Sequence, residues 1–491
     1  MTARLFLFLF VLIISACSDP QSPSIRFGLA SAPISLDPRF ATDASSSRIN
    51  RLLYQRLVDF DSEFKAQPSL ADWEVISPTH YRFTLKKIKR QFQNGESLDS
   101  DDVLATYSFI LDPSNASPHR GSLQLINKIA VINNDVIDFF LDKPDPLFPG
   151  YLTIGIVPAS VMKNKLSINR ASMGSGLFRF VDWPGAGNLV IERGDDNLKV
   201  EFIAVKDATV RALKLIRGEV DILQNDLPGE LTNYLGHKSG INVTHHGGTN
   251  FTYLALNLRD PLLADLRVRR AIAHAVNRNE IIRYLLGEKT MPANALLTKN
   301  HWAGLKETNE YKYDPVLAKK LLKDAGYDAD NPLMLEYKTT SDPLRIRIAT
   351  VIQQQLKQAG IILKLRSFDW ATVYGDIKAG RFQMSSLSWV GIKNPDIFRY
   401  VFHSGSVPPK GANRGGYENA HVDELIDKAA TVQDLTERAE LYRQIQEIIL
   451  KELPYIPLWY ESHVMVSSDH ISGYQLANDG NYDGLLSIKK N

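Results

Sequence analysis

The chain has 491 residues, with 57 Lys and Arg against 55 Asp and Glu and a formal net charge of +2, so nothing in its electrostatics suggests a nucleic-acid partner. Apolar residues make up 44% of it, enough for two or three packed domains at this length. One cysteine excludes an intramolecular disulfide, and no stretch beyond residue 17 approaches the roughly twenty apolar residues of a membrane-spanning helix.

Met1-Thr-Ala-Arg4 is followed by an unbroken apolar run from Leu5 to Ile14 and then by Ser15-Ala-Cys17. A charged start, a short apolar core and small residues before a cysteine form a signal peptide, residues 1–16. The pattern is similar to a bacterial lipoprotein signal, which makes Cys17 the lipidated residue and 17–24 a tether to a membrane face. Ile25 to Ala30 alternates like a strand, and Tyr81, Phe83 and Leu85 mark another. Residues from about 45 to 175 carry their own mixed pattern, including a helix start at Asp99 to Asp102. Val200 to Val205 reads as a strand, Val210 to Arg217 as a helix ended by Gly218, and Val220 to Leu223 as the strand that follows.

The second half is more regular. Asp314-Pro315 opens a helix that ends at Ala325-Gly326, and Asp342-Pro343 opens another that ends at Ala359-Gly360. Strands are expected at Leu333 to Lys338, Ile361 to Phe368 and Gln383 to Val390, with a helix over 370–379. Alternating strands and helices predict a parallel α/β sheet over 315–390, with ligands beyond the carboxyl ends of its strands. Two tryptophans fall there: Trp389, beside Gly391, suits a pocket, whereas Trp370 also suits the core. Phe251 to Leu258 and Tyr455 to Val466 read as long strands bracketing this region. Two crossings between lobes would make a hinge and a closing cleft, with lobe I at 25–255 and again at 463–491, and lobe II at 256–462.

No catalytic constellation stands out. Ser-x-x-Lys occurs at Ser62/Lys65, Ser160/Lys163 and Ser487/Lys490 without a Lys-Thr-Gly partner motif. His245-His246 would point to opposite faces of a strand, and Gly185-Ala-Gly187 lacks the third glycine of a dinucleotide site. These observations predict a protein that is not an enzyme, binds no metal and needs no cofactor.

Several blocks in order resemble one family. They are Ser35-Leu-Asp-Pro38 with Leu53-Tyr-Gln-Arg-Leu57, Pro68-Ser-Leu-Ala71 with Trp73, Phe83 to Lys86, Phe92 to Gly95 and Ser100 to Val103. Further along come Gly174 to Phe178, Gly218-Glu-Val-Asp221, Arg270 to Arg278, Ala325-Gly-Tyr327 and Tyr417-Glu-Asn419. Over essentially the whole mature chain, the sequence resembles the solute-binding proteins of peptide- and nickel-type ABC importers, the dipeptide- and oligopeptide-binding family. The resemblance implies a two-lobed α/β periplasmic-binding-protein-like fold with an extra subdomain in lobe I. It also implies a monomer that carries a peptide or peptide-like solute to an ABC permease and ATPase outside the cytoplasm.

By position in the family, the ligand backbone would lie between Ser31-Ala32-Pro33-Ile34 and the stretch from Ser385 to Gly391, an instance of strand addition. Relatives often carry an aspartate three residues after the tryptophan, where Ile392 stands here with Lys393 beside it and Asp396 further on. A free peptide amino terminus would be left unpaired, so a blocked peptide, a murein fragment, a metal chelate or an anionic ligand also fits, as does a sensing role without transport. Arg414 and Tyr417, in Gly411-Ala-Asn-Arg-Gly-Gly-Tyr417, and His301 with Trp302 are further candidates. For Arg414, a ligand carboxylate and a local backbone carbonyl are equal alternatives.

Overall fold

A computed structural model describes residues 24–185, 187–287, 289–306 and 311–491. The expected signal peptide, Cys17 and the tether up to residue 23 lie outside the described residues, as does Ala186 in the expected Gly185–Gly187 turn. No helix among the described residues is long and apolar enough to cross a membrane.

Two antiparallel strands, Ile241–Leu256 and Tyr455–Ser468, organise the molecule. Their first stretch of pairing runs from Ile241↔Ser468 to His246↔His463, and their second from Asn250↔Glu461 to Ala255↔Tyr455. Between the two the register shifts around Gly247-Gly248. A Cβ on Gly248 would lie 2.2 Å from the Glu461 carbonyl oxygen, so only glycine fits this bulge. The expected strand at Phe251 therefore begins ten residues earlier, at Ile241.

Beyond Tyr455–Ser468 the sheet continues through Ile222–Gln224 to Ile25–Leu29 and Lys199–Ala204, the last two pairing in parallel. Beyond Ile241–Leu256 it continues through Met384–Trp389 to Leu333–Thr340 and Ile361–Phe368. These last three strands are mutually parallel, as the alternation of helix and strand predicts. Asp314 and Asp342 cap their helices by accepting from Leu317 N and Arg345 N, each with proline at the first turn.

Side-chain period fixes which face packs where. Along one strand Phe251, Tyr253 and Ala255 enter one core, with Leu387, Phe398 and Tyr455, while Leu254 and Leu256 enter another, with Leu335 and Ile352. On the other side of the long strands Ile25, Phe27, Val200 and Phe202 pack with Tyr474, Tyr482 and Leu485 from the carboxyl-terminal segment.

A separate antiparallel sheet, in the order Ala71–Ser77, His80–Leu85, Val136–Leu141, Ile126–Asn133, backs onto the helix Ser100–Leu111. Asp99 and Asp102 form a reciprocal capping box at that helix start. Tyr81, Phe83, Tyr107, Phe139 and Phe148 fill the space between, with Phe83 edge-on to Phe139 at 5.4 Å.

Candidate functional site

A cavity of about 610 Å³ lies where the two halves of the molecule face each other. One wall is the helix Ala44–Leu53 with its flanking segments, from Pro38 to Phe60. Another is the loop Gly150–Gly155. A third is Val390, Gly391 and Lys393, just past the carboxyl end of Met384–Trp389, and Asp479 and Asn481 close the remaining side.

The helix wall follows from helical period. Ala44, Ser47, Arg48 and Arg51 recur at the spacing of one helix face and line the cavity. Ile49, Leu52 and Leu53, on the other face, are buried in the core. Asp43 starts this helix by accepting from Ser46 N.

The cavity is rich in charge. Arg51 forks onto Asp59 and onto Asp483, at 2.8 Å to each, and Arg56 meets Asp59 at 2.9 Å. Burial alone would raise the Asp59 carboxyl, but bonds from Arg51 and the charge of Arg56 outweigh it and hold it well below the usual carboxylate range. Lys393 Nζ lies 2.8 Å from Asp479 Oδ2 and 5.5 Å from the Phe60 ring, which joins the Val390–Lys393 loop to the opposite walls. Arg48 makes no ion pair among the described residues, and its guanidinium sits 5.5 Å from the Tyr482 ring. His119 Nε2 and Asn50 Oδ1 are buried without a hydrogen-bond partner, and burial lowers the His119 pKa so that the ring is neutral.

The sequence-predicted residues divide into four groups. Gly391, with Val390, lines the cavity. Ser31, Ala32 and Ile34 are exposed just past the end of Ile25–Leu29, with Pro33 buried among them. They lie outside the cavity lining, and Ile34 N donates to Ser46 Oγ on the helix wall. Trp389, Trp370, Arg414 and Tyr417 belong to an aromatic column behind the loop. Trp370, expected in the core, is instead 55% exposed and stacks on Tyr374 at 5.0 Å; Arg414 bridges the Tyr374 and Trp389 rings at 5.2 and 5.3 Å, and Trp389 lies parallel to Tyr253 at 6.4 Å. Arg414 Nη2 donates to the Tyr374 hydroxyl, and among the described residues its guanidinium bonds no local backbone carbonyl. The Tyr417 hydroxyl donates to Glu452 at 2.6 Å inside the core.

His301 holds the two halves together rather than opening into the cavity. Its ring stacks on Phe64, its Nδ1 accepts from Ala303 N, and its Nε2 donates to the Lys393 carbonyl at 3.2 Å. Burial pushes its pKa down to about 4, so the ring is neutral at pH 7. Beside it Trp302 N donates to the Glu63 carbonyl. The strand Met384–Trp389 pairs with Leu333–Thr340 only at Met384 and Ser385, which leaves its edge uncovered by that strand from Ser386 onward. Sequence reasoning missed Arg48, Asn50, His119 and Asp479. The spacing of Ala44, Ser47, Arg48 and Arg51 was the available signal for the first.

Two halves joined by a pair of strands, with a polar and aromatic cavity between them, make a two-lobed fold of the kind that holds a solute between its lobes. The model of the bacterial extracellular solute-binding proteins, family 5 (middle region), matches residues 65–408, and the chain belongs to that family, the solute-binding proteins of peptide- and nickel-type ABC importers. The probable deoxycholate-binding periplasmic protein YgiS of Escherichia coli is 27% identical, over 95% of this chain and 93% of its own length. Di/tripeptide-binding protein 2 of Pseudomonas aeruginosa is 26% identical, over 96% of each. Among solved structures, the substrate-binding protein CtaP from Listeria monocytogenes superposes with a TM-score of 0.85 at 24% identity, covering 96% of this chain and 99% of that one. DppA from Helicobacter pylori in complex with the peptide STSA gives 0.77 at 24% identity, covering 95% and 98%.

Proposed function

We propose that the chain is a lipid-anchored receptor that closes on a peptide or peptide-like solute in the interlobe cavity and delivers it to an ABC permease and its ATPase. The observation that carries this reading is the 610 Å³ cavity bounded by residues from both sides of the long strands. In this reading lobe I comprises 25–255, with a subdomain over about 45–175, and 463–491, and lobe II comprises 256–462. The exposed residues Ser31 and Ala32 and the open edge past Ser386 supply hydrogen bonds to an extended ligand that runs beyond the cavity. The receptor acts as a monomer, without metal, cofactor or chemical change to the solute.

Ser47 is exposed on the cavity face of its helix, so Ser47→Trp fills the space and leaves the core beneath it intact. The substitution should weaken solute binding by about a hundredfold, read by calorimetry, with the melting temperature within about 2 °C of wild type. Unchanged affinity would remove the cavity as the site. Lipidation at Cys17 is tested by fractionation: Cys17→Ala protein should leave the membrane pellet for the soluble extract, because one tether is the whole attachment.

One observation favours a non-peptide solute as a second reading. The loop after Trp389 places Ile392, 9% exposed, in the core and presents no carboxylate of its own to the cavity. A relative named for deoxycholate binding makes an amphipathic acid a reasonable occupant of the same space.

A further inference from the structure

We propose that this cavity selects solutes with a free anionic group and no free ammonium, with Arg48 receiving the anion. The inference rests on the receptor reading above and assigns a ligand charge to it.

The ion-pair inventory of the cavity carries the argument. Among the described residues four cations line it, against the two carboxylates Asp59 and Asp479. Asp59 is paired with Arg51 and Arg56, and Asp479 with Lys393. Arg48 is left with an aromatic ring and the Tyr482 hydroxyl, and with no carboxylate. A guanidinium offers a planar fork of donors matched to a carboxylate, and its attraction strengthens when the lobes exclude water.

The same inventory works against a ligand ammonium. Lys393 is the protein's own ammonium, already seated on Asp479 with side-chain exposures of 23% and 16%. A peptide amino terminus at that carboxylate would have to share it with the Lys393 ammonium and meet a like charge there, which the acetylated form avoids. Asp396, further along the same loop, is absent from the cavity lining, and so is Ile392.

The test uses four probes at pH 7 and physiological salt on the mature full chain: Leu-Leu, N-acetyl-Leu-Leu, Leu-Leu amide and dodecanoate. N-acetyl-Leu-Leu should bind at least about tenfold more tightly than Leu-Leu, and Leu-Leu amide should not bind. Arg48→Met should weaken N-acetyl-Leu-Leu about tenfold or more, and Arg48→Lys, which keeps the charge and guards against misfolding, should weaken it less. Lys393→Met should narrow the preference for the acetylated peptide by freeing Asp479. Leu-Leu binding as tightly as its acetylated form, or Arg48→Met without effect, overturns the proposal, as does failure of all four probes at millimolar concentration. Dodecanoate binding that Arg48→Met abolishes, with no peptide bound, sustains the proposal and removes the peptide part of the receptor reading.

Discussion

Asp221→Ala should lower the unfolding free energy by about 3 kcal/mol in a urea titration monitored by tryptophan fluorescence. The carboxylate is fully buried, and Arg26 holds it through its backbone N–H at 2.8 Å and its guanidinium at 2.8 and 3.1 Å. Lys490 Nζ reaches it at 2.9 Å and His470 Nε2 at 3.2 Å. These partners come from the first strand, the carboxyl terminus and the end of the second long strand, so a single side chain ties three distant segments together. Removing it leaves the Arg26 and Lys490 cations facing each other without the carboxylate that pairs them. Asp221→Asn should cost nearly as much, because the partners meet a charge rather than a shape. Burial alone would raise this carboxyl, but the bonds from Arg26, Lys490 and His470 outweigh it and hold it at about 2, against about 4 in an unfolded chain. Its stabilisation is therefore complete above pH 4 and lost as pH falls from 4 through 2. In Asp221→Asn that part of the acid slope should vanish. A loss below about 1 kcal/mol in either variant would show that the cluster is surface decoration.

Gly174→Ala is the second large effect. A Cβ at this position would lie 1.8 Å from the Leu53 carbonyl oxygen and 2.6 Å from its carbon, inside any permitted contact. The obstacle is backbone, and that backbone is the carboxyl end of the helix carrying Arg48 and Arg51. Gly176 N donates to the same Leu53 oxygen at 2.8 Å, so the loop and the helix end are fastened to each other. A methyl group must push them apart at a cost of about 3 kcal/mol or more, and it tilts the cavity wall as it does so. Both the melting temperature and the solute affinity should fall, whereas a purely local clash would lower the melting temperature alone. Retention of both would mean that the loop can move away freely.

Both residues sit in blocks by which the chain resembles its family, and the structure supplies the physical reason for each: a buried charge hub at Asp221 and a backbone crossing at Gly174. The parallel sheet at 333–390 was legible because proline, aspartate and glycine mark every helix end in it. The bulge at Gly247-Gly248 was not, since two glycines read as a break and only the facing Glu461 carbonyl shows why the strand continues through them. Tyr417 and Trp370 carry aromatic signals that serve core packing and a pocket equally well, and local sequence has no term to separate the two. The Lys393–Asp479 pair lay further out of reach, because it forms only when a loop of one half meets the carboxyl-terminal segment packed in the other.

The most direct measurement is a crystal structure of the mature protein purified from its own cells with whatever solute it retains. Solute density should lie enclosed between the helix Ala44–Leu53 and the Val390–Lys393 loop, with an acidic group against Arg48. A solute bound elsewhere, with only water in that space, would contradict that placement.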